Sequence, residues 1–282
     1  MPSKIVIIGA GFAGVCSALS AKRVVDSKNM ENDIEILAIA PEPVLVMRPR
    51  LYESKASSMV HPLETVFLEA SIRFLPGFVK AIHTKSHTVD VRCIPGGELT
   101  INYDRLVRAA GSSIVRPQGV SGLRQHAFDI DSLDSAAKLE SHIEGLASRP
   151  TSPGRDTVVA RVILVGNADD IASSFGDGPR STIANALNDL RVETKLGSGV
   201  KAVDAEGITL TSGEYIRTIT AIWTVGVQAT PLTQQIPGPK DALSRLFVDR
   251  YLRVSSVVDV FATGDAACVL ADGKDQYALM CC

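Results

Sequence analysis

The chain has 282 residues, 45% of them hydrophobic and 21% charged, with a formal net charge of −2. That balance excludes intrinsic disorder and a strongly basic nucleic-acid binder, and no apolar run approaches the roughly 20 residues needed to cross a bilayer. Five cysteines without regular spacing describe neither a disulfide framework nor a zinc site, and the length suits about two domains.

The first predicted element is the strand Lys4–Ile8, a short apolar run ended by glycine, as suits a strand buried on both faces. It begins so close to Met1 that no signal or transit peptide is expected, which points to the cytoplasm. Gly9-Ala10-Gly11-Phe12-Ala13-Gly14 follows, then a helix over Val15–Val25 and a second strand over Asp33–Ala40. Strand, glycine turn, helix and strand within about 40 residues make a βαβ unit with a parallel sheet.

Each glycine of the turn has its own physical role. Gly9 permits the tight exit from the strand, Gly11 leaves room for a pyrophosphate against the backbone, and Gly14 lets the helix pack closely. The amides at the helix start then face the phosphates, and the helix dipole favours their charge. An acidic residue ordinarily ends the second strand to hold the ribose; here the chain reads Ala40-Pro41-Glu42, and Glu42 serves equally well as a solvated turn residue.

Further along, a helix is predicted over Pro62–Glu69 and strands over Ile72–Leu75, Val79–His83 and Thr88–Ile94. The turn Pro95-Gly96-Gly97-Glu98 joins the last of these to a strand over Leu99–Tyr103, and Arg105–Ala110 is another apolar strand ending in glycine. Ser132–Ala147 reads as an amphipathic helix, and Ser148–Asp156 as a polar, proline-rich linker between domains. A second βαβ-like unit opens with Val158–Val165. It continues through a helix over Ser181–Leu190, a strand over Val192–Leu196, short hairpin strands to Ile216 and a strand over Thr220–Val225. The chain closes with Val257–Ala262 and Thr263-Gly264-Asp265, where a carboxylate after a strand and a glycine can reach a ligand or cap the next helix.

GAGFAG, RPRLYE, YDRLVRAAGSS and VFATGDAA, in this order, resemble the two-dinucleotide flavoproteins. They are most similar to type II NADH dehydrogenases and apoptosis-inducing-factor-like oxidoreductases. FGDGPRSTIANALNDLRVETKLG, GITLTSGEYI and AIWTVGVQATPL are similar to the nicotinamide-binding half of the same proteins. The resemblance covers nearly the whole chain. It implies an α/β fold: a FAD-binding Rossmann-like domain with an inserted, incomplete second Rossmann-like domain. The domains it implies are 1–150 for the first FAD-binding segment, 157–244 for the truncated NAD(P)-like domain and 245–282 for the return segment.

Carried onto this sequence, Gly9, Ala10, Gly11, Phe12, Ala13 and Gly14 would hold the FAD pyrophosphate. Arg50 would sit beside the flavin or its phosphates with Arg48 as a neighbour, and Val79 would meet the adenine through its backbone. Ala110 and Gly111 stand at the family's ATG turn, and Gly264 and Asp265 at its GD motif, where the aspartate accepts a bond from a ribityl hydroxyl. No catalytic side chain and no metal is expected, because the cofactors carry the chemistry and the protein aligns them. The disulfide-reductase branch needs a CxxxxC pair near the flavin, which isolated Cys16, Cys93 and Cys268 do not supply.

Two departures bear on activity. Gly166 ends a strand, but Asn167-Ala168-Asp169-Asp170-Ile171 follows and Phe175-Gly176 arrives almost at once, whereas a complete βαβ unit takes about 30 or more residues. Asp169 and Asp170 would repel a pyrophosphate. The chain also stops at Cys282, where the family continues with a helix that covers the flavin ring. The expectation is an FAD-dependent oxidoreductase passing electrons to a small-molecule acceptor in a small-molecule pathway, with NAD(P)H use in doubt. Apolar surface left by the missing parts would be exposed, or covered by a partner or a second copy. The alternative is an impaired remnant that keeps the fold and FAD as an interaction protein.

Overall fold

The structure is a computed structural model, and it describes residues 2–147, 161–172, 177–270 and 277–278. The expected linker at 148–156, the start of the strand expected at Val158 and the terminal pair Cys281-Cys282 lie outside the described residues. The chain forms two compact units, one of Met1–Val115, Asp131–Leu133 and Val225–Cys282, the other of Arg116–Ile130 and Asp134–Thr224. These divisions differ from expected boundaries at 150, 157 and 245. The reason is local: Ser112–Ile114 pairs antiparallel with Val227–Ala229, and Val115 donates to the Gly226 carbonyl, so 225–244 stays with the first unit.

The first unit is built on a seven-stranded sheet in the order Val260–Ala262, Arg105–Arg108, Ser3–Ile8, Ile34–Ala40, Arg73–His83, Thr88–Cys93, Glu98–Asn102. The first five run parallel and the last three form an antiparallel meander. Neighbouring Val6 and Ile7 are both fully buried because alternate side chains enter cores on opposite faces. One core gathers Val6, Ile8, Ile39, Leu106 and Val260 with the meander; the other gathers Ile7, Ala38 and Ala109 under Val15, Ala18 and Val25 of the helix Phe12–Ser27.

Two strands expected at Ile72–Leu75 and Val79–His83 are one strand, Arg73–His83. Its first part pairs parallel with Ile34–Ala40 as far as Pro76, where the missing amide matters least, and from Gly77 it pairs antiparallel with Thr88–Cys93. A Cβ at Gly77 would lie 2.8 Å from the Arg92 carbonyl oxygen, so glycine is what lets the meander close there.

In the second unit Ile163–Val165 pairs parallel with Glu193–Lys195, and the helix Asp177–Asp189 lies between them in sequence. A three-stranded antiparallel sheet follows, Val200–Val203, Gly207–Leu210 and Tyr215–Arg217. The strand expected over Thr220–Val225 is reduced to Ala221–Ile222, paired with Ala127–Phe128. Among the described residues Leu123, Val203 and Ala221 pack together, and Ala136, Leu139, Leu210 and Ile216 are also buried, while Val162, Leu164 and Leu190 are exposed. Among the described residues no helix is long and apolar enough to cross a membrane.

Candidate dinucleotide site

Ser3–Ile8 stands between Ile34–Ala40, which follows it in the chain, and Arg105–Arg108, which returns on its other side. At such a switch point the connections leave in opposite directions and open a crevice at the carboxyl ends of the strands. Gly9 lies there with φ +113°, a conformation that disfavours any Cβ, and a Cβ would overlap the Ala109 carbonyl oxygen. A Cβ at Gly14 would overlap the Gly9 carbonyl oxygen, so the helix touches the strand end backbone to backbone. Nothing lies within 4 Å of a Cβ built on Gly11. The three glycines thus have three different surroundings, and only the middle one faces open space.

The helix Phe12–Ser27 begins at Gly11 with no side-chain cap and no acidic residue in its first turn. Helix-start amides without a side-chain acceptor, together with the positive end of the dipole, form an anion site. Ala10 is buried behind the turn, Phe12 is half exposed and Ala13 lies at the helix start. The second expected turn meets this one: Gly264 has φ +60°, and a Cβ there would lie 2.8 Å from that of Ala13. Ala110 and Gly111 border the same place, since the Ala110 Cα lies 2.9 Å from a Cβ built on Gly9.

Asp265 is held by a polar chain. Ser112 Oγ donates to Asp265 Oδ2 at 2.6 Å, and Arg48 Nη1 donates to the Ser112 hydroxyl and carbonyl oxygens at 3.3 Å. Arg48 is itself fixed by Asp131, through Nη2 to Oδ1 at 2.5 Å and Nε to the carbonyl oxygen at 3.1 Å. The second Asp131 oxygen accepts from the Ile114 amide at 3.1 Å.

Of the two arginines, Arg48 is thus the one joined through Ser112 to Asp265. The Arg50 guanidinium is exposed and forms two 2.7 Å bonds with the Glu53 carboxylate, which holds Glu53 below the ordinary carboxylate range. Pro49 in the 3₁₀ turn Arg48–Arg50 separates the two arginines, so only one can face inward. Glu42 is exposed at the end of the second strand.

Val79 pairs with Val91 three residues past Pro76, the partner of Ala40, on the side of the sheet edge where the second strand ends. A bulge follows it, and Gln235 covers the bulge, accepting from the Ile82 amide at 2.8 Å and donating to the Lys80 carbonyl at 3.0 Å.

Ser112, Asp131 and Arg108 were not expected. Arg108 is fully buried, paired across the sheet with Ile8 on one side and Ala262 on the other, so it lies beneath both turns. Its Nη2 donates to the Thr230 carbonyl and hydroxyl oxygens, while Nε and Nη1 have no partner among the described residues. Burial lowers its pKa to about 10. Ser112 was visible as the residue after the glycine turn, but nothing near Arg48 in the sequence announces Asp131, 83 residues away.

The open space at Gly11, the uncapped helix start and the nearby carboxylate fit a dinucleotide lying across the strand ends. Cys16 is exposed, Cys93 half-buried and Cys268 buried, all as free thiols, and burial raises the pKa of Cys268.

The sequence family described as pyridine nucleotide-disulphide oxidoreductase matches residues 3–167 and 145–280. An NADH dehydrogenase-like protein of Mycobacterium tuberculosis is 33% identical over 310 aligned positions, covering 99% of this chain and 76% of that protein. A type II NADH:quinone oxidoreductase of Staphylococcus haemolyticus is 21% identical over 319 positions, covering 97% of this chain and 76% of that protein. Among solved structures, NDH2 of Plasmodium falciparum in complex with NADH superposes with a TM-score of 0.75 at 15% identity, over 95% of this chain; the chain spans 65% of that protein's length. A family match along most of the sequence, a relative one-third identical over nearly all of it and the two-turn crevice at the switch point agree: the chain belongs to the pyridine nucleotide-disulphide oxidoreductase family of enzymes.

Proposed function

We propose that this protein is an FAD-dependent oxidoreductase of the NADH dehydrogenase-like kind, its flavin taking two electrons from a reduced organic substrate and passing them to a small-molecule acceptor. FAD is the cofactor of this family, and when bound it supplies the two-electron chemistry while the chain binds and orients it. The observation that carries the reading is the paired glycine turns, with Gly264 packed against Ala13 over the open space at Gly11.

In this reading the first-turn amides of Phe12–Ser27 take the pyrophosphate. Gly9 and Gly14 hold helix and strand close enough for those amides to converge. Asp265 accepts from a hydroxyl of the cofactor, and Ser112, through Arg48 and Asp131, fixes which way the carboxylate faces. Val79, Ala110 and Gly111 border the cofactor through their backbone.

Reconstitution tests this. Purified protein is expected to bind FAD, seen as flavin absorbance and as free FAD released on denaturation. Asp265→Ala is expected to weaken FAD binding by about tenfold or more, the scale of a hydrogen bond to a charged group. A folded protein that refuses FAD overturns the proposal.

A further inference from the structure

The family's name implies a second dinucleotide, a pyridine nucleotide, and in this chain the second unit is the place to look for its site. Such a site needs a strand, a glycine turn and a helix opening beside the phosphates, with the crevice at the strand ends free. At Ile163–Val165 the strand and a following glycine are present, but the strand ends are not free.

The turn after that strand folds back across the strand ends. The Gly166 amide continues the ladder to the Lys195 carbonyl at 2.9 Å, as Gly9 does to Ile39 in the first unit, but here the Gly197 amide also donates to the Ala168 carbonyl at 2.9 Å and the Ser198 amide to the Gly166 carbonyl at 3.3 Å. The backbone of 166–168 is thus laced onto 195–198 over both strands, where a pyrophosphate would have to lie. Asp169 sits in the same place, its Oδ1 3.1 Å from a Cβ built on Gly197, and Asp170 stands 3.7 Å from Arg180. A dianionic pyrophosphate would meet the Asp169 carboxylate where the first unit offers helix amides, Asp170 being paired with Arg180.

The sequence is also too short for the missing parts. Only the residues numbered 167–174 separate Gly166 from Phe175, against the 30 or more of a strand–helix–strand unit. The M. tuberculosis relative aligns over 310 positions, more than the 282 residues of this chain, so it carries internal residues that this chain lacks.

We infer that the second unit has no pyridine-nucleotide site, because the turn Gly166–Asp170 occupies the strand ends where the phosphates would have to lie. The inference concerns the second unit alone and does not rest on reading the first as an FAD site.

Calorimetric titration of the full chain with NADH, and separately NADPH, in the presence of excess FAD tests it. No saturable binding is expected up to about 1 mM, the upper end of ordinary enzyme affinities for their substrates. Saturable binding of either nucleotide below that concentration overturns the inference. The double variant Asp169→Ala/Asp170→Ala is expected to remain equally inert, since the backbone of the turn still occupies the strand ends. A variant that gains saturable NADH binding would show repulsion alone to be responsible and would likewise overturn it. FAD binding on the same sample separates the two claims: loss of FAD binding with NADH still inert defeats the proposed function and leaves this inference standing.

Discussion

Arg108 is a cation enclosed in protein on a strand between two others; among the described residues it bonds Thr230 and no carboxylate pairs with it. Enclosing such a charge without a counter-ion opposes folding, because water solvated it in the unfolded chain. The folded protein gives up this proton more readily than the unfolded one, so above about pH 10 the unfolded state binds more protons and stability gains from this group as pH rises. Below that pH the penalty is fully present. Arg108→Met is therefore expected to raise stability at neutral pH, by on the order of 1–3 kcal/mol, and to gain progressively less above pH 10. Denaturant unfolding at several pH values checks this; a variant less stable than the parent at pH 7 would mean that an anion or buried water compensates the arginine in solution.

The helix Phe12–Ser27 and its leading turn separate folding from binding. At Gly14 any side chain collides with the Gly9 carbonyl, so Gly14→Ala must push the helix off the sheet, at about 1–3 kcal/mol as for other overpacked sites. At Gly11 the backbone is extended, with φ −74°, and a methyl group meets nothing. Gly11→Ala is expected to leave the melting temperature within a degree or two while lowering FAD affinity, a contrast that thermal unfolding and flavin titration read directly. This turn was legible in the sequence because its demands are local: an apolar run, glycines at fixed spacing, then a helix. The chain Asp131–Arg48–Ser112–Asp265 was not, because its members lie far apart and meet only through the sheet order. The choice of Arg48 over Arg50 depended on which way one 3₁₀ turn faces, which no periodicity records. Likewise Gly77 and Pro76 read as punctuation, yet the strand Arg73–His83 runs through them by changing partners.

For the whole molecule, the two units differ in what supports them. The first has two extensive cores on either side of one seven-stranded sheet, whereas the described strands of the second divide among several small sheets. A ligand that binds only the folded state stabilises by mass action, by about 2.7 kcal/mol at a hundredfold excess over its dissociation constant. FAD is therefore expected to raise the melting temperature of the first unit, and NADH at the same concentration to leave both units unchanged. Differential scanning calorimetry with each nucleotide checks this, and a rise with NADH would contradict it.

The parallel pairing of Ile163–Val165 with Glu193–Lys195 carries one more consequence. In a βαβ layer each strand enters from the same end only because a helix has carried the chain back across the sheet. Taking out a helix alone, or a strand alone, would bring the next strand in upside down and break the layer's polarity. Removing one helix together with one strand preserves it, and the shortened unit still reads strand, helix, parallel strand. A layer shortened by a whole helix-and-strand repeat therefore keeps its polarity, and the remaining chain still closes into a sheet.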